Sequence, residues 1–215
     1  NNGHTGKAGL DYTIKEGHII GASLTGSSNN RNRSGLLTNT LSFDGGEADI
    51  WQRNADEPQT SQSVDANLNY QWYFKDKKGD LIADFNQSWG KRQVNGYYDE
   101  YDLVDYETTP SRIEQLENPS QNSVFSGLVD IVRNFKNSTR FETGAKAIIN
   151  SDDRTQYREI YDFDSQEFIP DTSINNRFKL TEQIYAAYGI FGHQVKKFKY
   201  QLGVRLEQAL VRPEL

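Results

Sequence analysis

The feature that most constrains this chain is an alternation of apolar and polar side chains with a period of two, sustained over segments of about ten residues. Across residues 63–74, Val64, Ala66, Leu68, Tyr70, Trp72 and Phe74 fall on one side, and Ser63, Asp65, Asn67, Asn69 and Gln71 on the other. Residues 198–207 set Phe198, Tyr200, Leu202, Val204 and Leu206 against Lys199, Gln201, Gly203, Arg205 and Glu207. Residues 140–149 repeat the pattern, and weaker versions run through 6–15, 20–26, 81–89, 125–132 and 178–190. A period of two belongs to strands, whose successive side chains point to opposite faces. The chain is therefore expected to be all-β, with about eight strands longer than the soluble mode of about five or six residues.

The connections alternate in length. Short polar turns at Lys15-Glu16-Gly17, Asp76-Lys77-Lys78-Gly79, residues 134–138 and residues 192–197 join strands as hairpins. Between hairpins lie polar stretches at 27–62, 90–122 and 150–176, expected to be long loops. A polar chain of this kind resembles a disordered one, but an aromatic share of 12% argues for a packed or lipid-facing fold. The net charge of −6 excludes a nucleic-acid partner held by phosphate contacts. With no cysteine there is no disulfide, thiolate metal site or thiol nucleophile. No apolar run approaches the roughly 18 residues of a spanning helix. The chain opens without Met or an apolar leader, so its N-terminus is expected to be processed or cut.

Strands of about ten residues, tilted near 45°, cross a hydrocarbon layer about 25–30 Å thick. Lipid offers backbone amides no partner, so strands persist there only in a closed wall. One-sided apolarity, strand length and unequal turns together predict an antiparallel up-and-down transmembrane β-barrel portion, with short periplasmic turns and long extracellular loops. A lipid-facing girdle is expected from Tyr12, Trp72, Phe74, Trp89, Tyr188, Phe198 and Tyr200, with Phe141 near the turns and Phe125 and Phe178 near the loops. The opposite, lumen-facing row is expected to hold Asp65, Asp130, Arg140, Glu142, Lys146, Arg205 and Glu207. Across the last hairpin, Tyr185 is placed opposite Arg205 and Gln183 opposite Glu207, a pairing that a one-residue slip would overturn.

Residues 182–188 and Phe198-Lys199-Tyr200-Gln201-Leu202-Gly203-Val204-Arg205-Leu206-Glu207 resemble a hairpin of the bacterial outer-membrane β-barrel family related to TonB-dependent receptors. The hairpin from Val129-Asp130 to Phe141-Glu142-Thr143-Gly144-Ala145-Lys146 is similar to the preceding one. The resemblance covers roughly the last 90 residues by motif and rests on fold motifs. It implies a signal peptide, a plug domain touching the TonB system and a barrel of about 22 strands. This window shows no plug or signal, so residues 1–215 are read as one partial barrel domain of a Gram-negative outer membrane. Outer-membrane lipid, an unidentified small ligand and, through a plug outside this window, the TonB system are the partners this implies.

Other motifs weigh less. Ser111-Arg112-Ile113-Glu114 has a capping-box pattern that would start a short helix, stopped by Pro119. Asn2-Gly3-His4-Thr5-Gly6-Lys7 lacks phosphate-loop spacing. Asp152, Asp153, Asp162 and Asp164 form an acidic stretch without EF-hand spacing, so no metal is expected. Tyr97, Tyr98, Tyr101 and Tyr106 are placed in an extracellular loop as an adaptable ligand-binding surface. No nucleophile–base–acid set stands out; the chain is expected to be neither an enzyme nor a cofactor protein. The reading that follows is a substrate-binding and uptake barrel. Its alternatives are a complete eight-stranded barrel with a structural or adhesive role, and a soluble carbohydrate-binding β-sandwich.

Overall fold

The structure, a computed structural model, describes residues 1–42, 49–75, 78–103, 109–136 and 138–214, with the side chain of Asp49 outside the description. They form one antiparallel sheet of nine strands: β1 (Asn2–Lys15), β2 (His18–Leu41), β3 (Asp49–Tyr73), β4 (Gly79–Asp102), β5 (Arg112–Asn134), β6 (Thr139–Asp162), β7 (Glu167–Pro170), β8 (Asn176–Val195) and β9 (Phe198–Glu214). Neighbours in the sheet follow chain order, except that the short β7 pairs only with β6 and leaves β6 to continue onto β8. The hairpins β1–β2, β3–β4, β5–β6 and β8–β9 place their turns at one end, and the four-residue turn between β6 and β7 lies at the other. β1 and β9 are not paired with each other, so the sheet has two open edges.

Strand length departs from expectation. β2 to β6 each run 23–25 residues, and most of the stretches expected as long loops are ladder. At about 3.3 Å per residue these strands reach about 80 Å, roughly twice what a tilted crossing of the hydrocarbon needs. The reason lies in solvation. Far from the short turns both faces meet water, no apolar row is required, and the period-two signal disappears while the backbone ladder continues. Pro58 and Pro119 sit within β3 and β5, and each coincides with a gap in a ladder, β3–β4 at Pro58 and β5–β6 at Pro119.

The capping-box motif is also strand. Arg112, Ile113 and Glu114 pair with Glu100, Asp99 and Tyr98, and the Ser111 amide and hydroxyl donate to the Glu100 carbonyl. Glu114 is held by Arg112 of its own strand, Arg53 of β3 and Arg158 of β6, so its carboxylate never turns back to cap a helix.

Register assigns faces. One face carries Tyr12 and Leu10 of β1, Ile20 and Leu24 of β2, Leu68 and Trp72 of β3, and Phe85 and Trp89 of β4, all linked directly across the ladders. It continues through Phe125, Phe141, Phe191 and Leu202. This apolar band spans the third to half of each long strand nearest the short turns. No second layer covers it among the described residues, which removes the β-sandwich alternative. Ala83 is the one buried apolar residue among them, while Trp89 is 50% and Leu206 72% exposed. The accessible surface, 15206 Å², exceeds by about half the roughly 10,000 Å² expected of a globular chain of this mass.

The last hairpin turns on Lys196 and Lys197, with Lys196 at φ 56°. β8 therefore extends to Val195, and Tyr185 faces Gln208 while Gln183 faces Leu210. The expected Tyr185–Arg205 and Gln183–Glu207 pairs are corrected by three residues, because the turn is shorter than its six polar residues suggested.

Candidate functional site

Asp65, Asp130, Arg140, Glu142, Lys146, Arg205 and Glu207 all lie on the face opposite the apolar band, by the continuous register from β3 to β9. Tyr12, Trp72, Trp89, Phe198 and Tyr200 lie on the band itself, and Phe74 packs edge-on against Trp72 at 4.8 Å. Tyr188 does not. It stands opposite Arg205, and its hydroxyl donates to Asp130 Oδ1 at 2.8 Å, so it belongs to the polar face. Gly144 makes this possible: a Cβ there would run into the Asp130 carboxylate and the Tyr188 ring. Phe178, opposite Arg154, is likewise on the polar face.

Of the tyrosines expected in a loop, Tyr97, Tyr98 and Tyr101 are on β4, and alternation divides them. Tyr97 and Tyr101 share the apolar band's side, whereas Tyr98 points to the polar side. They make no common surface, and Tyr106 lies outside the described residues. Tyr98 donates to Glu57 Oε1 at 2.8 Å, and its ring, lying across Gly96, carries the Arg53 guanidinium 4.3 Å from its centroid. Desolvation, reinforced by the bond to Glu57, pushes its phenol up to about 12.

Beside Tyr98 the polar face gathers a charge cluster from four strands and the connection after β7. Glu114, 4% exposed, pairs with Arg53 at 3.1 Å, with Arg112, and with Arg158 at 3.8 Å. Arg53 also reaches Glu100 at 3.4 Å, and Arg158 binds Asp171. The Ser173 hydroxyl and amide, together with Arg158, hold the Asp171 carboxyl down to about 2. Arg112 and Glu114 stand out in the sequence only as a capping-box match, and Arg53, Arg158 and Asp171 not at all. They are spread over residues 53–171 in polar stretches whose pairing leaves no local signal.

Further along the polar face, β4, β5, β6 and β8 enclose a trough of about 780 Å³. Arg154 is neutralised by Asp152 at 2.5 Å, while Arg92 donates to the neutral Gln59 Oε1 at 3.0 Å. What remains is amide-rich, with Asn118, Asn122, Gln156 and Asn176 beside the Phe178 ring. The acidic stretch has its own partners. Asp162 accepts from the Asp164 amide and the Ser165 hydroxyl, and Asp153 binds Arg177. Among the described residues no cluster of His, Cys, Asp or Glu suited to a metal ion forms.

A sequence profile of the outer membrane protein beta-barrel family matches residues 72–214, about two thirds of the chain. Among solved structures, the ferric citrate transporter FecA in its unliganded form is similar at 12% identity and a TM-score of 0.42, over 98% of this chain and 35% of that one. BauA, the ferric preacinetobactin receptor from Acinetobacter baumannii, is similar at 10% identity and a TM-score of 0.38, over 98% of this chain and 40% of that one. This chain thus spans about a third to two fifths of their lengths. No curated protein matches it. A one-sided apolar sheet without a core and the profile match agree: the chain belongs to the outer membrane protein beta-barrel family, and its place is the outer membrane.

Proposed function

We propose that these residues form part of the wall of a larger outer-membrane receptor barrel that binds a small ligand and takes it up, coupled to the TonB system through a plug. The carrying observation is the pair of open edges. Within the apolar band β1 and β9 have free outer sides, and hydrocarbon cannot satisfy the backbone groups there. Further strands on both edges would close the wall, a reading favoured over a complete eight-stranded barrel, whose first and last strands would pair. The polar face then lines the lumen, and the strand extensions beyond the band stand outside the membrane as the binding vestibule.

A role without bond-breaking chemistry fits the side chains. His18 and His193 lie beside the short turns on the apolar face, bound to Tyr70 at 2.6 Å and to Thr139 at 2.8 Å. The acids of the vestibule cluster face arginines. The test is made on the full-length polypeptide in cells. It should fractionate with the outer membrane, migrate heat-modifiably on gels and crosslink to the TonB protein; a water-soluble product, or one that never crosslinks, overturns the receptor reading.

A further inference from the structure

We propose that the trough across β4, β5, β6 and β8 is the subsite for an uncharged, polyhydroxylated ligand, an oligosaccharide, which the lumen would present to it; this rests on the receptor reading above. The volume of about 780 Å³ is of the size that holds small ligands in buried sites, about 300–1,000 Å³.

Chemistry decides the class. A multiply anionic ligand calls for several cations free to meet it. Arg154 is paired with Asp152, which leaves Arg92, bonded to the neutral amide of Gln59, as the one cation lining the trough with no carboxylate partner among the described residues. The uncommitted groups are carboxamides. Each carboxamide offers donors and an acceptor, and a sugar hydroxyl likewise both donates and accepts. Gly90 shapes the floor, because without a Cβ it lets the Asn122 amide lie across the strand. Gln156 and Asn176 stand directly opposite each other at one end. Phe178, two residues from Asn176 on the same face, supplies the apolar plane on which a pyranose ring can rest.

The trough also lies at the right height. It begins level with Trp89, where the apolar band ends, and runs outward along the vestibule, so a ligand there is in water rather than beside lipid tails.

The experiment is isothermal titration of the full-length polypeptide in a detergent without a sugar headgroup. The probes are maltohexaose, cellohexaose and xylohexaose, with citrate as the anionic comparator. At least one hexasaccharide should bind saturably, with an affinity that salt at about 0.5 M leaves unchanged, and citrate should not bind. Asn176→Ala and Phe178→Leu should each weaken that binding about tenfold while heat-modifiable migration stays normal. No binding by any hexasaccharide, binding indifferent to both substitutions, or salt-sensitive binding of citrate instead would overturn the proposal. A polypeptide that forms no heat-modifiable barrel would instead sink the receptor reading, which keeps the two failures apart.

Discussion

At the scale of single residues, the charge cluster beside Tyr98 turns on Glu114. It is the one buried charged side chain among the described residues, and Arg53, Arg112 and Arg158 all approach it. Removing it leaves those guanidiniums facing one another. Because the arginines keep part of their hydration, the expected cost of Glu114→Ala is about 1–3 kcal/mol, below that of a fully buried pair. Hydrogen exchange of the outer ends of β3 to β6 should report it as faster local opening. Arg154→Ala, which breaks a far more exposed pair, should change little. Asp171 carries the pH dependence. Its folded value, about 2, lies below the ordinary carboxylate value of about 3.9. Its contribution is therefore fully present above pH about 4 and is lost as pH falls through about 2. Carboxyl NMR titration should place the midpoint there, and Ser173→Ala or Arg158→Ala should raise it; a midpoint unmoved by both would contradict the geometry.

At the scale of elements, each long strand has two regimes. Near the short turns one face carries a continuous apolar row and is unpacked, and beyond Trp89 both faces are largely polar, with scattered apolar side chains such as Leu36, Leu37, Trp51 and Tyr97. A charge on the outward face should therefore be costly in the first regime and harmless in the second. Leu68→Arg is expected to destabilise the folded wall in bilayers by about 2–4 kcal/mol. Gln93→Arg, on the same side but beyond the band, should stay within about 0.5 kcal/mol. Denaturant titration in lipid vesicles separates them, and equal effects would mean that the band boundary has been misplaced. The sequence marked the first regime well, since Val64, Leu68, Trp72 and Leu81 follow the period of two. It was silent on the second, because strands solvated on both faces look like polar loops. Tyr97, Tyr98 and Tyr101 therefore look like one loop surface in the sequence, although the pleat splits them.

At the scale of the whole molecule, a sheet with almost no buried apolar residue cannot stand in water alone, and its edges cannot stand in lipid alone. Hydrogen exchange distinguishes the two ways of meeting the second demand. With this stretch alone in detergent, the amides of β1 and β9 that point away from the sheet should exchange far faster than those between β3 and β5. In the full-length polypeptide they should become protected. Equal protection of both edges in the stretch alone would mean that β1 and β9 close on each other, making a small complete barrel.

The sequence by itself determined which segments carry a one-sided apolar row and at which end the β1–β2, β3–β4, β5–β6 and β8–β9 turns lie. Lipid imposes a local rule, one apolar side chain in every two, that is written directly in the residues. The tertiary structure alone decided how far the strands continue, that Tyr188 joins Asp130, and that Arg53, Glu114 and Arg158 converge. These depend on register carried from hairpin to hairpin. Around Ile184-Tyr185-Ala186-Ala187-Tyr188 the residues are apolar on both sides, so the register with β6 and the two-residue turn at Lys196 and Lys197, not the local pattern, fix which of them share the polar face.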